Sequence, residues 1–156
     1  MRQIRSTDLN SYHKIMRRDE VCQWLAGPAR KTSSETLELI EKTSNHWKVK
    51  GYGVWGVLIK DQGLLIGHCG LAYLAETGET ELQYAFDPAY WGQGYATESA
   101  RAAIEWTFCK TGLERIMALA MPDNARSISV LNKLGFQPLG VKRYFGTSLL
   151  CFELFP

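Results

Sequence analysis

The chain has 156 residues, 46% of them hydrophobic and 22% charged, which is the size and composition of one globular core and gives no compositional case for disorder. Its 18 basic and 16 acidic residues leave a net charge of +2, too balanced to point to nucleic acid or a membrane surface as partner. One domain over 1–156 is expected.

No apolar run reaches the ~20 residues of a membrane helix, and the start Met1-Arg2-Gln3-Ile4-Arg5 lacks a signal peptide's apolar stretch. Cys22, Cys69, Cys109 and Cys151 are scattered without a C-x-x-C pair, so buried free thiols in a reducing cytoplasm are expected. His13, His46 and His68 show no ligand spacing, and no metal is expected.

In chain order, Gln3-Ile4-Arg5 reads as a short edge strand, and Leu9, Tyr12, Ile15 and Met16 recur at helical spacing behind Ser6 or Thr7 as cap. The cationic run Lys14 to Arg18 reads as solvated helix surface. A second helical patch, Val21 to Leu25, is closed by Gly27-Pro28. Thr32 and Glu35 make a capping-box pattern ahead of a longer helix that reaches about Lys48. From Tyr52 the period changes to that of strands: Val54 to Ile59, Leu64 to Tyr73 and Thr80 to Phe86 form a meander turned at Asp61-Gln62-Gly63 and Glu76-Thr77-Gly78-Glu79. A helix carrying Ala100, Ala103, Ile104 and Phe108 follows and stops at Thr111-Gly112. Then come a buried strand, Arg115 to Ala120, a helix with Ile128, Leu131 and Leu134 that ends at Gly135, and a terminal hairpin over Val141 to Phe155. The order predicts an α/β (α+β) domain with a mixed, mainly antiparallel central sheet of about six to seven strands flanked by helices.

Between the third strand and the next helix lies Trp91-Gly92-Gln93-Gly94-Tyr95-Ala96-Thr97-Glu98. Small residues let a ligand approach the backbone, and a helix's first turn directs unpaired N–H groups and its dipole's positive end outward, so such a turn suits a phosphate. It is not a P-loop, because no Gly-Lys-Ser/Thr follows, and not a dinucleotide fingerprint, because the strands before it form a meander.

Together with Gly51-Tyr52-Gly53-Val54-Trp55, Ile66-Gly67-His68-Cys69-Gly70-Leu71, Glu81-Leu82-Gln83-Tyr84, Asn124-Ala125-Arg126-Ser127 and Lys133-Leu134-Gly135-Phe136, this turn makes the chain resemble the GNAT superfamily of N-acetyltransferases, most closely its RimJ/RimL-like branch, over almost its whole length. The resemblance implies acetyl-CoA as acetyl-donor cosubstrate, wedged in a splayed strand pair between the strand ending near Phe86 and that ending near Ala120. It also implies backbone contacts from Tyr84, Ala85 and Phe86 to the pantetheine and thioester, from Gly92, Gln93, Gly94, Tyr95, Ala96 and Thr97 to the pyrophosphate, and a hydrogen bond from Asn124 to the pantetheine arm. Two positions depart from the family pattern. Trp91 stands where the phosphate signature has Gln or Arg, and Leu131 stands where many members carry the tyrosine that protonates the thiolate.

Acetyl transfer to an amine needs a proton acceptor, because an amine of pKa about 10 is mostly protonated at neutral pH. Glu81 is the leading candidate, with a surface charge or ion-pair partner as its other reading. Ser127 is a candidate to protonate the departing sulfur, or else makes only local backbone bonds. His68 reads as structural. No cysteine has a motif that pairs it with a base, so direct attack in a ternary complex is expected. Trp24, Trp47, Trp55, Tyr73, Tyr84 and Tyr90 are candidates to line the acceptor site, although at these spacings most are better explained as core or cleft wall, and selection is expected in Met16 to Lys50 and Arg143 to Gly146. The resemblance implies a protein N-terminal α-amine or a small-molecule primary amine as acceptor, and a monomer or homodimer is expected. A catalytically idle acyl-CoA-binding module is the alternative from another class.

Overall fold

The alternating apolar strands are joined in one seven-stranded sheet in the computed structural model, which describes residues 1–25 and 31–156. Across the sheet lie Arg2–Gln3 (β1), Val54–Leu58 (β2), Leu65–Leu74 (β3), Glu79–Phe86 (β4), Ile116–Ala120 (β5), Thr147–Leu154 (β7) and Gln137–Tyr144 (β6). Every neighbouring pair is antiparallel except β4 and β5, which are parallel. The expected mixed sheet is therefore present, and the terminal hairpin's first strand begins at Gln137, earlier than the sequence pattern places it, with Pro138 tolerated because β6 is an edge.

Helices cover both faces. Leu9–Met16 (α1), Asp19–Cys22 (α2) and Ser33–Lys50 (α3) lie on one, where Ile4, Tyr12, Ile15, Met16 and Ile40 bury against Leu65 and Ala85. Tyr95–Thr111 (α4) and Ala125–Lys133 (α5) lie on the other, where Ala100, Ala103, Ile104 and Leu131 meet Leu71, Leu82, Phe86 and Ile116. Within β4 the pleat divides these sets: Leu82 and Phe86 belong to the α4/α5 core and Ala85 to the α1/α3 core.

The capping box of α3 forms: Thr32 Oγ1 accepts from the Glu35 amide at 3.2 Å, and the Glu35 carboxylate accepts from the Thr32 amide at 2.7 Å. The helix runs two residues beyond Lys48 and ends at Gly51 with φ +74°, a left-handed cap that costs glycine nothing. The patch around Val21 is only the one-turn α2, and its breaker pair Gly27-Pro28 lies outside the described residues. Of the four free cysteines, Cys109 is exposed rather than buried, since it sits on the outer side of α4. Arg18 is more than solvated surface, for it pairs with Asp87 at 3.1 Å. No helix among the described residues is long and apolar enough to cross a membrane.

Candidate active site

Parallel strands β4 and β5 share one ladder position, Glu81 opposite Met117. Beyond it the strands part, and Tyr84, Ala85 and Phe86 on one side and Leu119 and Ala120 on the other border a cavity of about 820 Å³. The gap opens to both faces, since Tyr12 and Leu39 line it from α1 and α3 and Tyr95 and Ser127 from α4 and α5.

The glycine-rich turn forms the rim. Gly92 and Gly94 have φ of +76° and +89°, in the left-handed region that favours glycine, and a Cβ added at either meets nothing within 4 Å. Backbone conformation, not crowding by the protein, fixes these glycines, and the space above them is open. Gly94 is the N-cap of α4 and brings no side chain to cap it, while the first helical bond runs from the Glu98 amide to the Gly94 carbonyl at 3.0 Å. The amides of Tyr95, Ala96 and Thr97 thus precede the intrahelical ladder and face the positive end of the dipole. Trp91 is pinned by its indole N–H, which donates to the Phe86 carbonyl at 2.8 Å. The Arg126 guanidinium sits over its ring, 5.2 Å from the centroid, so a cation–π contact from the first turn of α5 reaches the position where the signature has Gln or Arg.

Across the gap, Asn124 caps α5: its Oδ1 accepts from the Ser127 amide at 3.1 Å, which leaves its Nδ2 donors outside that bond. Ser127 Oγ shares a 2.7 Å hydrogen bond with the Tyr84 hydroxyl, which lies 3.3 Å from the Ser127 carbonyl as well. Burial pushes the Tyr84 phenol up to about 12, against the opposing hydrogen bond from Ser127. This pair ties β4 to α5 across the splayed strands. Leu131 is 1% exposed and belongs to the core, so no hydroxyl projects from its position. From sequence Tyr84 reads as a backbone contact and a candidate aromatic wall, with no role for its hydroxyl; the signal for the hydroxyl is its parity with Leu82 and Phe86, which turns it toward α5.

Glu81 is 3% exposed and therefore not a surface charge. It lines the cavity, and its Oε1 has no hydrogen-bond partner among the described residues. Burial lifts the carboxyl above the usual carboxylate range, the Glu79 charge adds to that, and Thr77 opposes it. Glu79 is itself paired with Arg115. By the pleat, Glu81 shares the α1/α3 face with Ala85 and Tyr84 takes the other. Glu81 thus flanks the gap on the α1/α3 face and the Tyr84 hydroxyl on the α4/α5 face.

Two histidines complete the lining. His68, opposite Ala85, shares a 3.0 Å hydrogen bond with the Tyr12 hydroxyl, and burial pushes its pKa down to about 4. His46 of α3 donates from Nδ1 to the Tyr52 carbonyl at 2.9 Å and accepts the Tyr73 amide at Nε2 at 3.0 Å, which ties α3 to β3. Cys69 turns away from His68, is fully buried, and has its thiol pushed up to about 12 by burial. Trp24, Tyr73, Tyr84 and Tyr90 line the cavity; Trp47 and Trp55 instead join Trp106 in a separate cluster of edge-on rings. Phe145, at the tip of the terminal hairpin, reaches the cavity too and donates its amide to Glu76 at 3.3 Å.

A sheet splayed beside a capless glycine turn defines a GNAT-like acyltransferase fold, and residues 1–137 match the family model of the GNAT acetyltransferase domain. The chain belongs to that family and is an acetyl-CoA-dependent acetyltransferase of it. An uncharacterized N-acetyltransferase of Bacillus subtilis (strain 168), YoaA, is 29% identical over 93% of this chain and 82% of its own length. Three other Bacillus proteins are matched over about half of their lengths, 51%, 49% and 55%. The spermidine N(1)-acetyltransferase of Escherichia coli (strain K12) is 31% identical over 46% of this chain and 40% of its own. Among solved structures, a ribosomal α-N-protein acetyltransferase, RimL, in complex with coenzyme A superposes with a TM-score of 0.82 at 16% identity, covering 99% of this chain and 92% of that one.

Proposed function

We propose that this single domain transfers the acetyl group of acetyl-CoA to a primary amine by direct attack, with the two substrates meeting in the gap between β4 and β5. The observation that carries the reading is the division of titratable groups by the gap: Glu81, with an unpartnered buried oxygen, on the α1/α3 face, and the Tyr84–Ser127 hydroxyl pair on the α4/α5 face. Acetyl-CoA supplies the acetyl thioester. The open turn Gly92–Thr97 fits its pyrophosphate, because left-handed glycines with nothing above them and uncapped amides form an anion cradle. The backbone of Tyr84, Ala85 and Phe86, freed by the splay from pairing with β5, fits the pantetheine, with the Asn124 amide nitrogen opposite.

In this mechanism Glu81 Oε1 takes the proton from the attacking amine as the N–C bond forms. A backbone N–H of the Tyr84–Phe86 stretch meets the charge that develops on the carbonyl oxygen. The C–S bond breaks, and the Tyr84–Ser127 pair gives a proton to the thiolate, in place of the hydroxyl that Leu131 lacks. Cys69 and Cys151 are buried with their thiol pKa raised, which supports direct attack over an acetyl-cysteine route. Burial of Glu81 at the cavity also speaks against an idle acyl-CoA-binding module, which has no use for an unpartnered carboxylate beside the thioester. Matched relatives include a spermidine enzyme and a ribosomal α-N-protein enzyme, so family membership spans both a small-molecule amine and a protein α-amine. A reducing cytoplasm suits the free thiols, and the monomer or a homodimer through the β6 edge suits the sheet.

Calorimetric titration with acetyl-CoA and CoA, followed by thiol release over an amine panel, tests the reading. Saturable binding of both and thiol release dependent on one amine class are expected; no binding of either overturns it.

A further inference from the structure

The charges around the cavity are one-sided. Among the described residues that line it, Glu81 is the only carboxylate, whereas Lys31, Lys42, Arg126 and Lys133 bring four cations. Other acids are engaged elsewhere, Glu79 with Arg115, Asp87 with Arg18 and Glu76 with the Phe145 amide, while Glu35, which accepts from Thr32, is close enough for its charge to act on Lys31. Arg126 and Lys133 belong to α5, on the face assigned to the phosphate-bearing cosubstrate. On the other face Lys42 stands with Leu39, Thr43 and His46 in the stripe of α3 that lines the cavity, and Lys31 lies just ahead of that helix's N-cap Thr32. The acetyl-CoA placement proposed above makes no use of those two lysines.

Resting on the acetyltransferase reading above, we infer that the acceptor is a compact monoamine with an anionic group and an apolar part, of the kind offered by a free amino acid or the first residues of an acidic peptide, and not a polycation. The reacting amine claims Glu81, the one carboxylate among the described residues that line the cavity. A second or third ammonium of a polyamine or aminoglycoside then faces Lys31 and Lys42, and each like-charge contact near 4 Å costs about fivefold even in water. An anionic group placed there gains by a similar factor. Trp24, Leu25, Leu39 and Tyr73 supply the apolar wall for the rest of the acceptor.

Thiol release at saturating acetyl-CoA, measured with free apolar and acidic amino acids, acidic-start peptides, spermidine, an aminoglycoside and a lysine-rich peptide, tests this on wild type and on the double variant Lys31→Glu/Lys42→Glu. Wild type should prefer the anionic monoamines by at least about tenfold in kcat/KM, the preference weakening with salt. The variant should shift the anion-to-polycation ratio by about tenfold or more in the opposite sense, with acetyl-CoA affinity unchanged. Free amino acids and peptides are separate arms, and turnover of one alone names the source. Turnover with spermidine or the aminoglycoside preferred, or a ratio that the double variant leaves in place, overturns this inference while leaving the acetyltransferase reading intact. Transfer to no amine overturns both.

Discussion

The two arms of the cavity are built by different means. The cofactor arm is made of backbone: two left-handed glycines, the uncapped first turn of α4 and a strand that loses its neighbour after one ladder pair. The acceptor arm is made of side chains from α1, α3, β3 and the β6–β7 turn, brought together only by the fold. Backbone cradles recognise what all family members share, and side-chain walls recognise what differs. Substitutions on the first arm should therefore act on affinity for acetyl-CoA, and those on the second on the acceptor and on the stability of the wall.

Gly94→Glu should separate the arms most sharply. It puts a side chain into a φ of +89°, costing about 1–2 kcal/mol, and a negative charge into the anion cradle. Acetyl-CoA affinity should fall by on the order of a hundredfold or more by calorimetry, with the fold retained by circular dichroism. Tyr84→Phe and Ser127→Ala each remove one partner of the pair that bridges β4 and α5. Each should lower kcat by about tenfold, and the double variant by little more than either, because the two act as one unit. A product of the two effects in the double variant would show independent roles.

His46→Ala belongs to the acceptor arm. It leaves the Tyr52 carbonyl and the Tyr73 amide without their partner and should cost about 1–3 kcal/mol by urea denaturation. The acceptor KM should rise with acetyl-CoA affinity unaltered. Thr32→Ala removes the N-cap of α3 and should cost about 1 kcal/mol, with the smallest kinetic effect of the set.

The same contrast governs what could be read from the sequence. Gly92, Gly94, the capping pair Thr32 and Glu35, and the meander signal their geometry locally, because φ > 0, a cap and a pleat are properties of a few consecutive residues. The Tyr84–Ser127 bond joins positions 43 residues apart, and Arg126 over Trp91 joins two elements separated by a helix and a strand. Glu81 is the instructive case. Alternation on β4 fits a surface charge equally well; only the placement of β5 beside it and of α1 and α3 over that face makes it a buried carboxylate at the cavity. His46 shows the converse, since a cavity-lining histidine has both ring nitrogens engaged by backbone.

Glu81→Gln tests the central claim most directly, with kcat from thiol release and melting temperature both followed against pH. As the proton acceptor, Glu81 should cost on the order of a hundredfold in kcat when replaced, with acetyl-CoA affinity unchanged. The wild-type rate should rise with pH through a pKa above the usual carboxylate range. Because its folded-state pKa is raised, the folded chain holds this proton more tightly than the unfolded one, so Glu81 subtracts stability as pH rises from the unfolded value through the folded one. The glutamine variant should accordingly melt higher than wild type at neutral pH, by an amount that shrinks on acidification. A variant with near-wild-type kcat and an unchanged pH profile would contradict the assignment of Glu81 as base.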